Sequence, residues 1–283
     1  MNEPVGLKFG FSTNLFVREP LESALHRIAA AGFRHVEILA DTPHAELAIH
    51  RPEDYAGLAA LLSSLDLSVC NINANTVRCL GSGKADDFFG FTPSLCDSKP
   101  AARARRVDYT RRALELARLL GSPVCTITSG RNPTSGMRHN ALSIFYESIG
   151  ELTDYADELG VRLAIEYEPE LLVSSFAQVR KLIEFFPMLH VNLDVGHSYL
   201  AGEDVPGVIR ALGRRIANVH FEDIKGNVHK HLPPGEGDID LEAVLAALGA
   251  INYEGIVTFE LYSCTDRSVE ALKLAGAYAA SRR

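Results

Sequence analysis

The sequence predicts a single α/β domain over residues 1–283, a closed (β/α)8 barrel of the TIM type, and three observations lead there. Short apolar runs alternate with longer amphipathic stretches eight times along the chain. Strands that alternate with helices make a parallel sheet, because each parallel pair needs a crossover between its strands. Eight such units in 283 residues suit one closed barrel. An open doubly wound sheet usually shows a glycine-rich phosphate loop after its first strand, and Gly10, Phe11, Ser12, Thr13 and Asn14 do not form one.

The strand candidates, in order, are residues 7–16, 35–40, 68–75, 123–129, 162–168, 190–195, 217–224 and 255–261. They are rich in Val, Ile, Leu and Phe, which pack well on a pleated surface. Helical spacing of apolar residues runs through 20–31, 52–65, 104–120, 139–159 and 241–249. Gly32, Gly121 and Gly160 each stand between such a stretch and the next strand, where a helix commonly ends in a left-handed residue. Residues 76–106 form an unusually long connection that contains Phe88, Phe89 and Phe91. It leaves the catalytic end of a strand, so it reads as a lid or active-site wall, or as an insertion or a contact between copies.

Composition bounds the function. With 47% hydrophobic and 23% charged residues the chain is an ordinary globular protein, and no apolar run is long enough to span a bilayer. The start MNEPVGLKFG lacks the basic and apolar parts of a signal peptide, so a cytoplasmic location is expected. A net charge of −8 argues against a nucleic-acid partner. Cys70, Cys79, Cys96, Cys125 and Cys264 contain no CxxC pair. Cys79 and Cys96 share the long loop and could approach each other there.

Catalytic groups of such barrels sit at the C-terminal ends of the strands. The fifth strand reads LAIEYEP and offers Glu166 and Glu168; the sixth reads VNLDVGH and offers Asp194 and His197. The seventh reads NVHFED and offers His220, Glu222 and Asp223, and the eighth reads VTFELY and offers Glu260. A carboxylate at the end of a buried strand is costly unless paired or metal-bound. One at a time, each group has a structural reading: Asp194 as a helix cap, His220 as a hydrogen-bonded core residue, Glu260 as an ion-pair partner. Four successive strands ending this way point instead to one divalent ion held by Glu166, Asp194, His220 and Glu260, since a cation removes their mutual repulsion. Carboxylates with one imidazole and no thiolate suit Mn2+ first, with Mg2+, Co2+ or Zn2+ as alternatives.

On these residues the chain resembles the xylose isomerase-like TIM-barrel superfamily, most strongly over 161–262. That group holds sugar isomerases and epimerases, inosose-processing enzymes and the endonuclease IV type of DNA repair enzyme. Its ketose 3-epimerases and hydroxypyruvate isomerases hold one metal with a Glu, Asp, His, Glu set, matched by Glu166, Asp194, His220 and Glu260. His197, three residues after Asp194, matches a further motif position, as do Asp223 and Lys225 after His220, and HKHLPPGEGDID is typical of the superfamily. The resemblance implies a metal-dependent sugar or keto-polyol isomerase or epimerase. Glu166 and Glu260 would move a proton next to a carbonyl through a metal-stabilised enediolate. It implies substrate contacts from His197, His231, Lys225 and Glu37, with a buried salt bridge closing the barrel as the alternative for Glu37. His229 reads as a loop residue. Asn14, Asn73, Asn75 and Arg131 are weaker candidates for binding substrate, and Arg138 reads as a surface charge.

The chain departs from the epimerase pattern at Leu172, where a second glutamate is expected, and at Lys225, the nearest cation where an arginine is expected. The same metal site would serve a dehydratase or lyase, and a non-catalytic metabolite-binding barrel is the rival from another class. Strands three and four end in Asn73, Ala74, Asn75 and Thr128, Ser129, Gly130, without the histidines of the three-metal repair enzymes. The expected partner is a small sugar or keto-polyol, with no nucleic acid and no membrane; self-association into a homo-oligomer stays open.

Overall fold

The computed structural model describes residues 6–81, 90–133 and 137–282. Eight strands close into one barrel: β1 (Lys8–Ser12), β2 (His35–Leu39), β3 (Ser68–Asn73), β4 (Val124–Thr128), β5 (Arg162–Glu166), β6 (His190–Asp194), β7 (Ile216–Phe221) and β8 (Ile256–Phe259). Each pairs in parallel with the next, and β1 closes the ring against β8. The helices between and after them are α1 (Leu21–Ala30), α2 (Ala56–Ser64), α3 (Pro100–Leu120), α4 (Arg138–Leu159), α5 (Phe176–Phe185), α6 (Val195–Leu200), α7 (Val205–Leu212), α8 (Leu241–Ala250) and α9 (Ser268–Ala280).

The strands are shorter than the apolar runs that announce them. The first run extends to residue 16, but the strand ends at Ser12, whose hydroxyl accepts from the Asn14 N–H at 3.4 Å and opens a 3-10 turn over Thr13–Phe16. Leu15 and Phe16 are apolar because that turn is itself buried. The stretch 52–65 likewise divides into a 3-10 turn, Pro52–Tyr55, and α2. Gly121 and Gly160 end α3 and α4 at φ 70° and 68°, a backbone state that strains any residue with a Cβ.

An aromatic cluster fills the space outside β1, β7 and β8. Phe9 stacks on Phe259 at 5.6 Å between ring centroids, Phe11 meets Phe33 at 5.2 Å, and Tyr278 of α9 closes on Phe221 at 5.8 Å. Burying one such ring contributes roughly 1.5–3 kcal/mol. The inside of the barrel is polar at the level of the site. Side chains alternate across a strand, so Asn71 lies beneath Asn73, Asn192 beneath Asp194, and Asn218 beneath His220. Carboxamides both donate and accept, which lets them satisfy buried carboxylates without adding charge.

Both ends of the long connection after β3 are tied to the barrel. The Asp41 carboxylate accepts from the Thr76 hydroxyl at 2.6 Å and from the Arg78 and Cys79 N–H groups at 2.8 and 3.0 Å. Leu95 is buried, and its carbonyl accepts from Ser148 of α4 at 2.8 Å. Phe88 and Phe89 lie outside the described residues, and with them the lid reading. Cys79 and Cys96 do not pair: Cys79 faces the Tyr109 hydroxyl, Cys96 faces Ser94 and the Arg131 carbonyl, and all five cysteines are free. Among the described residues no helix is long and apolar enough to cross a membrane.

Candidate metal centre and active site

The ends of β5 to β8 bring Glu166, Asp194, His220 and Glu260 together. One ligand atom from each lies within 4.8 Å of the others, and all four residues are buried. His220 is the hub: its Nδ1 is 3.1 Å from Glu166 Oε2, 3.4 Å from Glu260 Oε2 and 3.9 Å from Asp194 Oδ2. Its Nε2 lies 2.7 Å from Glu37 Oε2. An ionised carboxylate only accepts, so Nε2 carries the proton and Nδ1 is the nitrogen presented to a cation.

Amides hold the carboxylates in place. Asn75 Nδ2 donates to Glu166 Oε2 at 2.7 Å, and Asn192 donates to the same oxygen while touching His220 Nδ1 at 3.0 Å. Asn14 and Asn73 donate to Glu260 Oε1 at 2.8 and 3.1 Å. Glu166 Oε1 is left facing His197, and Glu260 Oε2 faces His220 and His231. Asp194 Oδ1 accepts from the His197 N–H at 2.6 Å, which starts α6, but its Oδ2 has no hydrogen-bond partner. A buried carboxylate oxygen without a hydrogen-bond donor, gathered with two further carboxylates and an imidazole, is donor chemistry that suits a divalent ion. The donor set therefore fits a metal.

The electrostatics agree. Burial, then Glu222, Glu166 and Glu260, push Asp194 well above the usual carboxylate range. Burial alone would lower His220, but Glu260, Glu37 and Glu166 outweigh it and lift it well above the ordinary imidazole value. Glu260 is drawn down to about 2, against its burial, by His220 and His231. Glu168, just past β5, is lifted to about 8 by burial and by Glu166.

The other expected site residues fall into two groups. His197 and His231 reach the mouth and are buried. His197 Nδ1 stands 3.4 Å from Glu166 Oε1, and burial with the neighbouring His231 and His229 holds the ring well below its ordinary pKa. His231 donates from Nδ1 to the Glu260 carbonyl at 2.9 Å; burial would lower it, but Glu222 and Glu260 raise it to about 9. Glu37 and Lys225 are placed elsewhere. Glu37 is fully buried beneath His220, where it also accepts from Asn71 at 2.7 Å and Asn73 at 3.1 Å. Lys225 is exposed and pairs with Asp238 at 2.6 Å. Asn14, Asn73 and Asn75 are committed to the site carboxylates, and Arg138 donates to the Leu172 carbonyl at 2.7 Å.

Asn192 and Asn218 go unread in the sequence, Glu222 is offered there without a role, and His229 reads as a loop residue. Asn192 and Asn218 stand two residues before Asp194 and His220, so strand alternation alone places them beneath the ligands. Glu222 accepts from the Gly196 N–H at 2.6 Å and keeps a second, unpartnered oxygen beside His231. His229 comes to the mouth on a loop whose course no periodicity announces.

A sequence model of the family described as xylose isomerase-like TIM barrel matches residues 25–279. The chain belongs to that family. It is 25% identical over 238 residues to L-ribulose-5-phosphate 3-epimerase UlaE of Salmonella paratyphi C, covering 83% of this chain and 79% of that one. It is 30% identical over 122 residues to inosose isomerase of Bacillus subtilis, covering 41% of this chain and 45% of that one. Among solved structures, IolI protein with a binding zinc atom superposes with a TM-score of 0.76 at 20% identity, over 98% of each chain. Family members similar to this chain are thus sugar epimerases and an inosose isomerase.

Proposed function

We propose that the protein is a divalent-metal-dependent isomerase or epimerase of a sugar or keto-polyol. The observation that carries this reading is the convergence of Glu166, Asp194, His220 and Glu260, with two glutamates from well-separated strands on one centre. The epimerase and isomerase relatives support it. The metal, Mn2+ or Zn2+ by the donor set, supplies Lewis-acid polarisation of a carbonyl next to the carbon that exchanges its proton. Glu166 and Glu260 each have one oxygen tied by amides and one turned toward the neighbouring imidazoles. One glutamate takes the carbon-bound proton, and the other returns it from the opposite side, giving an epimer, or to the adjacent carbon, giving an isomer. His197 and His231 orient substrate hydroxyls at the mouth.

A second reading, dehydration at the same site, has one specific support. Burial and the neighbouring Glu166 raise Glu168 to about 8, which would make it a candidate proton donor to a departing hydroxyl.

The deciding experiment incubates metal-stripped, Mn2+-reloaded protein with keto-sugars and inososes in heavy water. Deuterium is expected at one carbon beside the carbonyl, with an epimer or isomer appearing. Loss of water with deuterium uptake selects the dehydratase, and no carbon-bound deuterium with any substrate overturns both readings. Glu260→Gln is expected to abolish exchange and weaken metal retention; unchanged metal content and turnover would remove Glu260 from the site.

A further inference from the structure

Helix α3 reaches the strand ends with two buried side chains one turn apart. The Tyr109 hydroxyl donates to the Ala40 carbonyl just past β2. The Arg106 guanidinium does the same past β3: its Nη2 lies 2.6 Å from the Ala74 carbonyl and 3.3 Å from that of Asn75, with Nη1 3.4 Å from the latter. Those two carbonyls have left the sheet. The Asn73 carbonyl still accepts from the Ala40 N–H at 2.8 Å, and β3 ends at Asn73.

Arg106 is an expensive way to satisfy them. It is 1% exposed, its Nε has no partner, and among the described residues its guanidinium bonds only to backbone carbonyls. Burial, partly offset by the nearby Tyr109 and Asp41, brings it down to about 10, which leaves it charged at neutral pH. A buried charge without a bonded carboxylate is costly, and an apolar side chain would fill the space at less cost. An apolar side chain could not, however, grip two successive carbonyls, which a planar fork of N–H donors can.

The segment so gripped carries the amide that ties Glu166. Asn75 Nδ2 donates to Glu166 Oε2 at 2.7 Å, while Asn75 Oδ1 has no partner. The amide is therefore aimed by its own backbone and that single bond. The backbone is held from two sides, by Arg106 and by the Thr128 hydroxyl, which donates to the Asn75 carbonyl at 3.1 Å. With Oε2 tied, Oε1 is the Glu166 oxygen left facing His197. We propose that Arg106 is a positioning residue of the site, which fixes the Ala74–Asn75 backbone and, through the Asn75 amide, decides which Glu166 oxygen is tied and which is left to act. Its consequence for chemistry rests on the role proposed for Glu166, whereas the hold on Asn75 does not.

The test reads the asparagine side-chain amides of the full, metal-free chain by 15N–1H NMR, with the Asn75 and Asn14 signals identified by their loss in Asn75→Ala and Asn14→Ala. In Arg106→Met the Asn75 amide is expected to lose its hydrogen-bonded shift and its protection from solvent exchange. The Asn14 amide, which ties Glu260 from β1's side of the barrel, is expected to stay as in wild type. An unchanged Asn75 amide overturns the proposal, and so do equal changes at both amides, the mark of general loosening. Arg106→Lys serves where the methionine variant does not fold: it keeps the charge and loses the fork, and a wild-type Asn75 amide there also overturns the proposal. Mn2+ titration supplies the second readout. Arg106→Met and Asn75→Ala are each expected to weaken binding about 10-fold. The double variant is expected to bind no more weakly than Asn75→Ala alone, because one residue acts through the other. Losses that multiply overturn that link. A wild type that binds no Mn2+ counts against the metal reading alone, and the amide spectra still decide the role of Arg106.

Discussion

Glu37 is the residue whose two sequence readings the structure separates. As the polar end of β2 it reads as a substrate contact or as part of a buried salt bridge, and the barrel places it fully buried under His220, 2.7 Å from Nε2. A carboxylate behind a metal-binding imidazole fixes its tautomer and raises its basicity, and removing such partners typically costs about 10–100-fold in metal affinity. Glu37→Gln keeps the shape and loses the charge. It is expected to weaken binding at the four-ligand site by about that factor, read by competition against a chelating dye, while a substrate contact would leave metal affinity unchanged and raise KM instead. The convergence of Glu166, Asp194, His220 and Glu260 was legible because each is the polar residue that terminates an apolar strand. The amides beneath them follow from the same alternation once the strand ends are known. Glu37 follows the rule as well, and what left its two readings open was depth: which layer of the barrel a side chain occupies depends on strand stagger, here a register shift between Val36 and Glu37, which no local pattern encodes.

At the scale of elements, strand order and most helix ends were readable, because glycine caps and periodicity are local signals. Boundaries failed where burial continues past the hydrogen-bonded ladder, as at Leu15 and Phe16. The loop after β7 was readable only as a motif. Its course is set by Asp223, whose carboxylate accepts from the N–H groups of Ile224, Gly235, Gly237 and Ile239 at 2.8–3.1 Å. Asp223 and Leu232 also exchange backbone hydrogen bonds, which closes residues 225–231 into a tongue bearing His229 and His231. Gly237 is required by proximity, since a Cβ there would stand 2.2 Å from Asp223 Oδ1 and 2.4 Å from the Ile224 carbonyl. Asp223→Asn keeps one acceptor and turns an NH2 group toward N–H donors, so a loss of about 2 kcal/mol in unfolding free energy is expected. Hydrogen exchange should quicken over residues 225–239 and stay slow in β5 and β6. Unaltered protection of the loop would show that Asp223 does not hold it.

For the whole molecule, the consequence of gathering buried acids at one end of the barrel is that folding stability is tied to pH and to bound cation. Glu168 makes the link testable, because its pKa is raised from 4.5 to about 8 on folding. Below pH 4.5 both states hold the proton and the favourable contribution is complete. Between 4.5 and about 8 the unfolded chain has released the proton and the folded chain has not, so stability falls as pH rises. The slope is at most about 1.4 kcal/mol per pH unit from this one group. Glu168→Gln cannot ionise and keeps the neutral side chain at every pH. In metal-free protein the variant is therefore expected to gain on wild type as pH rises through that window, with the gap constant above about 8. A cation on the neighbouring carboxylates lowers the cost of ionising Glu168, so saturating Zn2+ should narrow the gap, and it should stabilise both proteins by about 2.7 kcal/mol at one hundred times Kd. Thermal melts of the two proteins at pH 5 and 8, with and without Zn2+, decide it: parallel losses of stability with pH, or a gap indifferent to metal, would separate Glu168 from the charge balance of the site.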